Sequence, residues 1–257
     1  MSGVFMGGCL PFAACGLSKG LIWKIVIVLY NILVETAIKL SYYHSKRLKE
    51  KAKRQRGKVD DKYESCGEKR CTVCRKKLQK LNFMDRSDFD GLGEAVKDLL
   101  GKSEGAFINP PFYCDYGSHI EVGRNFFANY NCMILDVAKV KIGDNCQMAP
   151  NVAIYTAGHP VHPVTRNSAY EYGREVTIGD NVWLGGNTVI CPGVHIGDNV
   201  VIGAGSVVTK DIPDWCIAAG NPCRVIRKIT DADKRKLFRD EEIDDEAWAD
   251  ICDRMEF

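Results

Sequence analysis

Over residues 178–208 the chain lacks both ordinary periods. There is no 3.6-residue recurrence of apolar positions, which excludes an amphipathic helix, and no two-residue alternation, which excludes the strands of a common β-sandwich. The chain also lacks net charge. Its 35 Lys and Arg against 33 Asp and Glu leave +2 over 257 residues, which argues against nucleic acid or another polyanion as a partner of the whole molecule. No clean small-x-small site follows the long apolar run near the start, which argues against a cleaved signal peptide. A zinc site is short of a ligand. Cys66, Cys71 and Cys74 form C-x4-C-x2-C, but a structural zinc takes four ligands and the next Cys or His downstream is Cys114.

What is present instead is a period of six. Ile178, Leu184, Ile190, Ile196, Ile202 and Val208 share one phase. Glycine follows most of them, and a small or β-branched residue (Val182, Thr188, Val194, Val200, Ser206) comes four places later. A coil of short parallel strands keeps such a period. Each hexad is one side of a triangular turn, its aliphatic points to the axis, and it stacks on the residue eighteen places away. Glycines and Asn-Asp pairs are expected at the corners, where positive φ is tolerated.

Twelve cysteines suggest a disulfide scaffold, yet several occupy small-hydrophobe slots of the repeat, Cys146 among them. They read as reduced thiols in a reducing, cytoplasmic compartment.

Four segments are expected. Residues 1–65 hold an apolar helix and a basic linker. The run at 21–40 is long enough to span a bilayer and is followed by a basic flank. Lys24, Asn31 and Glu35 fall near one helical face, so it could equally lie on a membrane or pack on protein. Residues 44–58 carry eight Lys or Arg and one Glu, a solvated stretch or one drawn to anionic lipid. Residues 66–105 read as helical, with Asp90 as a cap before Leu92, Val96, Leu99 and Leu100, and Gly101 as a stop. Residues 106–229 form the coil, starting with Ile120, Phe126 and Cys132 six apart; MILDVAKVK then resets the phase for Ile142, Met148 and Ile154. Residues 157–174 have no hexads but preserve the phase across them, which marks a loop thrown out of the coil, the usual place for function. Residues 230–257 read as an acidic helix covering the coil's end.

The run FFANYN, LDV, KIGDNCQMAPNV, YTAGHPVHPVTRNS, VTIGDNVWLGG, VICPGVHIGDNVVIGAGSVVTKDIP and AAGNPCRVIRKI resembles the maltose and galactoside O-acetyltransferases of the hexapeptide-repeat acyltransferases. The likeness is close over about 106–229, weaker over 75–101 and absent over 1–65. It implies a mainly β fold, a left-handed parallel β-helix with N-terminal helices and a short C-terminal helix, against the usual crossover hand. It further implies a homotrimer, acetyl-CoA as co-substrate, a small-molecule hydroxyl acceptor and no metal.

Residue by residue, His159 in TAGHP matches the family's base. An alcohol attacks a thioester poorly unless its proton leaves as the bond forms, and neutral imidazole suits that near pH 7. Asn129 and Asp136 match positions that contact the acceptor or orient the base. Val137 stands where the galactoside type has a further Asp. Asp115 lies where acceptor hydroxyls are expected. Trp183, Gly186, Ala204 and Gly205 match the pantetheine arm, and Thr209, Lys210, Arg224 and Arg227 match the phosphate end, where cations suit the nucleotide. Cys191 is discounted as a nucleophile, and the spacing of His162 and His195 does not fit the three-His zinc pattern of γ-class carbonic anhydrases. The expected activity is O-acetylation of a sugar or similar hydroxyl compound. Alternatives are a non-sugar acceptor (amino sugar, serine or xenobiotic) and a β-helix assembly module without catalysis.

Overall fold

The structure is a computed structural model and describes residues 68–168, 170–237 and 241–255. The apolar run at 21–40, the basic run at 44–58 and Cys66 lie outside the described residues, as does the side chain of Cys71. Among the described residues no helix is long and apolar enough to cross a membrane.

In the later coils each strand pairs in parallel with the one eighteen residues on: Thr177 with His195, Trp183 with Val201, Val189 with Val207. The hexads are therefore the sides of a triangular parallel β-helix. Its first sheet runs from Lys102–Glu104 through Ile120–Arg124, Val140–Ile142 and Val176–Ile178 to His195–Ile196. The second runs from Phe107–Ile108 to Cys216–Ala219 and is closed by the antiparallel strand Arg224–Lys228. The third runs from Phe112–Cys114 to Val207–Val208.

Two apolar rows per side fill the interior. Ile178, Leu184, Ile190, Ile196, Ile202 and Val208 are all buried, and so are the residues four places on. Each such aliphatic contributes about 1.5–3 kcal/mol by leaving water.

The early coils are longer. Val122 pairs with Ile142, Ala128 with Met148 and Ile134 with Ile154, so these, rather than Ile120, Phe126 and Cys132, are the lead positions. The latter three occupy the second buried row, and because both rows keep the six-residue spacing, the pattern alone did not separate them. Two extra residues at the corner after Leu135 make up the difference.

The corners divide labour between asparagine and, in the I-G-D-N repeats, glycine. Asn125, Asn131, Asn145, Asn151, Asn181, Asn187 and Asn199 take the left-handed conformation, φ 55–61°, which asparagine tolerates better than other residues with a Cβ. The glycine has a different reason. A Cβ on Gly179 would stand 2.1 Å from Oδ1 of Asp198, because each Asp accepts the amide of the coil before it: Asp144 N to Asp180, Asp180 N to Asp198, Asp198 N to Asp214, all 2.7–2.9 Å. Asparagines stack beside them, Asn125 to Asn145 to Asn181 to Asn199, at 2.9–3.0 Å.

Two helices precede the coil, α1 (Glu68–Asn82) and α2 (Phe89–Leu99). Leu92, Ala95, Val96 and Leu99 of α2 and Leu81 of α1 are buried. The cap of α2 is Asp88, whose side chain accepts from the Gly91 amide; Asp90, the expected cap, sits inside the first turn. Gly101 is less a stop signal than a close approach. Its amide donates to the carbonyls of Gly117 and Ile120, and a Cβ would meet the Ser118 carbonyl oxygen at 2.2 Å.

Past the coil, the only long described helix is Asp245–Met255, with no buried residue. It is held by Arg235, which pairs with Asp245 at 2.7 Å and lies over the Trp248 ring. The Arg224–Lys228 strand extends the second sheet at the coil's end, and the terminal helix, expected to cover that end, buries none of its residues.

Candidate active site

The corner between the third and first sheets gathers the chemistry. It comprises residues 115–119, 136–139, the long excursion after Ala153–Tyr155, residues 191–194 and residues 209–211. The excursion adds eighteen residues, since Ile154 pairs with Ile190 and Ile142 with Ile178, each thirty-six apart. It leaves the coil as a two-stranded antiparallel ribbon, Ala157–Gly158 with Tyr172–Gly173. The Tyr172 ring packs over Gly158, where a Cβ would stand 2.5 Å from it and push the ring aside. Buried Thr156 ties the base of the ribbon, donating to the Leu135 carbonyl at 2.7 Å and accepting from the Ala138 amide at 2.8 Å.

Beside the ribbon lies a cleft of about 420 Å³ lined by Asp115, Leu135, Tyr155, Ala157, His159, Glu171 and Pro192. His159 and Asp115 were expected from sequence; Glu171 was not. Its only sequence signal was a place in the Tyr-Glu-Tyr-Gly run of the excursion. His159 Nδ1 lies 3.1 Å from the Tyr170 carbonyl oxygen. A carbonyl can only accept, so Nδ1 is the donor here, and a neutral ring bonded this way leaves the Nε2 lone pair free. Glu171 Oε1 is 3.7 Å from that Nε2.

Asp136, expected to touch the acceptor or orient the base, is instead fully buried. Its carboxylate accepts the amides of Asp115 (3.0 Å), Tyr116 (2.9 Å) and His119 (3.2 Å). It therefore orients the backbone that carries Asp115. Burial pushes the Asp136 carboxyl up, with those hydrogen bonds opposing. Burial likewise raises Asp115, helped by the charges of Asp136 and Glu171 and opposed by Arg75.

Asn129 stands elsewhere, at the corner between the second and third sheets, its side chain accepting the Tyr130 amide. Gly186, Ala204 and Gly205 lie at that same corner. The Gly205 amide donates to the Gly186 carbonyl at 2.8 Å, and a Cβ on Gly205 would meet nothing. The corner is a smooth ledge of small residues. Trp183 is half-exposed on the outer face of the second sheet. Thr209 and Lys210 are exposed at the cleft's own corner, near the coil's end. Arg224 and Arg227 lie on the closing strand, and Arg227 is already engaged, bidentate, with Asp233 at 2.8 and 2.9 Å. One chain thus separates the expected site residues between two corners and the coil's end.

The discounted residues stay discounted. Burial raises the Cys191 thiol, and exposed His195 is bonded to Thr177 at 2.6 Å. Among the described residues no cluster of three or more His, Cys, Asp or Glu is placed to hold a metal.

Residues 175–210 match the bacterial transferase hexapeptide (six repeats) family model. Galactoside O-acetyltransferase of Escherichia coli is 46% identical over 168 residues, 65% of this chain and 83% of that one. Among solved structures, a galactoside acetyltransferase in complex with coenzyme A superimposes with a TM-score of 0.68 at 44% identity, covering 70% of this chain and 92% of the other. A maltose O-acetyltransferase from Clostridium difficile 630 gives 0.63 at 51% identity, covering 64% and 88%.

Proposed function

The chain belongs to the galactoside and maltose O-acetyltransferase family of the hexapeptide-repeat acyltransferases, and from that premise we propose that it moves an acetyl group from acetyl-CoA to a hydroxyl of a sugar or similar small acceptor, with His159 as general base. The observation that carries the reading is the His159–Tyr170 hydrogen bond beside the Asp115–Glu171 cleft. It leaves Nε2 free to take the acceptor's proton while the oxygen attacks the thioester carbonyl. The tetrahedral intermediate collapses by expelling the CoA sulfur, and the imidazolium returns its proton to that thiolate. No acyl-enzyme is needed. Glu171 stabilises the transient imidazolium, Asp115 accepts from acceptor hydroxyls, and Asp136 positions Asp115.

Acetyl-CoA fits the other corner. The pantetheine arm lies along the ledge of Gly186, Ala204 and Gly205 beside Trp183, where absent side chains let it reach backbone groups. Thr209 and Lys210, from the cleft's corner of the adjoining subunit, and Arg224 meet the phosphates, with Arg227 held back by Asp233. No residue of this assignment requires a metal. Since cleft and ledge occupy different corners of one coil, a complete site takes a cleft from one subunit and a ledge, with Asn129, from its neighbour; a homotrimer satisfies this. The functional division is acceptor-side helices over Glu68–Asn82 and Phe89–Leu99, a transferase coil from Lys102 to residue 229, an acidic tail over 230–257 and an N-terminal appendage over 1–65.

The test is CoA release from acetyl-CoA by the full chain against a panel of sugars and small hydroxyl compounds, with His159→Ala as control. Turnover with one acceptor, reduced by about 10²–10⁴-fold in the variant, supports the reading and names the acceptor class. Turnover unchanged in the variant sinks the role of His159. A folded protein that neither turns over nor binds CoA returns the bet to an assembly module. Sedimentation of the same sample as a monomer rejects the shared site.

A further inference from the structure

Two thiols meet where α1 crosses the wall of the acceptor cleft. Cys74, on α1 and buried, lies with its sulfur 3.6 Å from that of Cys114, the last residue of the strand Phe112–Cys114. The partners are forty positions apart in sequence, so tertiary packing alone brings them together. Cys74 Sγ also donates to the Cys114 carbonyl oxygen at 3.9 Å, but the contact between the two sulfurs sets the pair apart from the other cysteines of the repeat. Cys132 donates to the Ala149 carbonyl, Cys146 to that of Gly179 and Cys216 to that of Asp214, each a small core residue satisfied by backbone.

We infer that Cys74 and Cys114 are a dithiol that peroxide closes to a disulfide, fastening α1 to the acceptor cleft and weakening acceptor binding. The chemistry balances with hydrogen peroxide as oxidant. The thiolate of one cysteine attacks the O–O bond, giving a sulfenic acid and hydroxide. The second thiol then attacks the sulfenic sulfur and releases water. Overall, two thiols lose two electrons and two protons, and one peroxide becomes two waters. The hydrogen bond between the thiols holds Cys74 below the usual thiol range; the same bond, with burial, pushes Cys114 up.

The consequence for the cleft follows from what surrounds the pair. Closing the bond brings the sulfurs from 3.6 Å to about 2.05 Å. The end of α1 is already pinned, since the Asn82 side chain makes two hydrogen bonds to the Phe112 backbone, both 2.9 Å. A second fastening eight residues back along α1 therefore draws on Cys114. Asp115 follows directly and lines the cleft, with its amide on Asp136 at 3.0 Å. The ledge at the other corner is not touched, so acceptor and CoA sites should respond differently.

The cleft consequence rests on the acetyltransferase reading; the cross-link itself does not. The experiment treats the reduced full-length protein with a few equivalents of hydrogen peroxide. Tandem mass spectrometry then assigns the joined cysteines, while acceptor KM and CoA affinity are measured before and after dithiothreitol. The expected result is a Cys74–Cys114 cross-link and an acceptor KM raised on the order of tenfold, a displacement near 1 Å being costly to positioning. CoA affinity should hold, and dithiothreitol should restore the original KM. Cys74→Ala and, separately, Cys114→Ala should resist the change, and either suffices if the other fails to fold. Cross-links made only by other cysteines, or a Cys74–Cys114 bond that leaves acceptor KM unchanged, would overturn the inference. The mass-spectrometric arm needs no turnover, so its failure and a failure of the acetyltransferase reading are seen separately.

Discussion

Nδ1 of His159 donates to the carbonyl oxygen of Tyr170 across 3.1 Å, and that single bond decides which nitrogen of the ring can act. Because Tyr170 belongs to the same excursion as His159, the loop carries both the proposed base and the group that sets its tautomer.

On the proposed mechanism, Glu171 is the residue whose charge matters during turnover. Its carboxylate is 3.7 Å from Nε2, too long for a ground-state hydrogen bond but close enough to act on charge that develops on the ring. Both side chains are substantially exposed, 55% and 38%, so screening limits the effect to about 1 kcal/mol. Glu171→Gln should lower kcat roughly threefold to tenfold with CoA affinity unchanged. A kcat equal to wild type in steady-state assays removes Glu171 from the chemistry.

Asp136 makes a prediction about stability. Removing its carboxylate strands the amides of Asp115, Tyr116 and His119 in a buried place, at about 1–3 kcal/mol for each left without water. Asp136→Ala should therefore cost about 3 kcal/mol or more in denaturant unfolding. It should also raise acceptor KM, because Asp115 loses its anchor. A variant as stable as wild type would mean that water replaces the carboxylate fully.

Much of this was legible in the sequence, for a reason particular to the fold. A coil repeats one environment, so Ile178 through Val208 state the same requirement six times and the excursion after Tyr155 shows as a gap that keeps phase. His159 stood out by resemblance, as did the ledge glycines. What stayed hidden depends on contacts between coils. The glycine of I-G-D-N reads as a corner residue, yet its purpose at Gly179 is clearance for Asp198 one turn away. Asp136 reads as a residue that contacts the acceptor or orients the base, because a carboxylate near a cleft and a carboxylate beneath it are written alike. Glu171 had no repeat and no spacing to announce it. The meeting of Cys74 with Cys114 needed the packing of α1 on the third sheet.

Asn181 separates the two jobs of the corner asparagines. It sits at φ 56°, accepts from Asn145 at 3.0 Å and donates to Asn199 at 2.9 Å. Asn181→Gly keeps the conformation and loses the ladder; Asn181→Ala loses both. Alanine in the left-handed region costs about 1–2 kcal/mol beyond that, so the alanine variant should unfold at lower denaturant than the glycine variant. Equal midpoints would show that backbone strain is relieved by local rearrangement.

The Arg227–Asp233 pair bears on the cofactor. Arg227 was expected at the phosphate end, but its guanidinium is held bidentate by Asp233, and that bond depresses the Asp233 carboxyl to about 2. A depressed carboxylate contributes stability above its unfolded value of 3.8 and loses it as pH falls through about 2. The pair is thus intact throughout the neutral range and competes with any phosphate for the same guanidinium. Asp233→Asn weakens the grip without removing the cation, so CoA should bind more tightly, by roughly twofold to fivefold if one charge-assisted contact is gained. Arg227→Ala in the wild-type background should change CoA affinity little, since the side chain is already occupied. Calorimetric titration of CoA into both variants distinguishes the cases. If Arg227→Ala weakens binding strongly, the arginine leaves Asp233 when the cofactor arrives, and the pair is a latch that the phosphate opens.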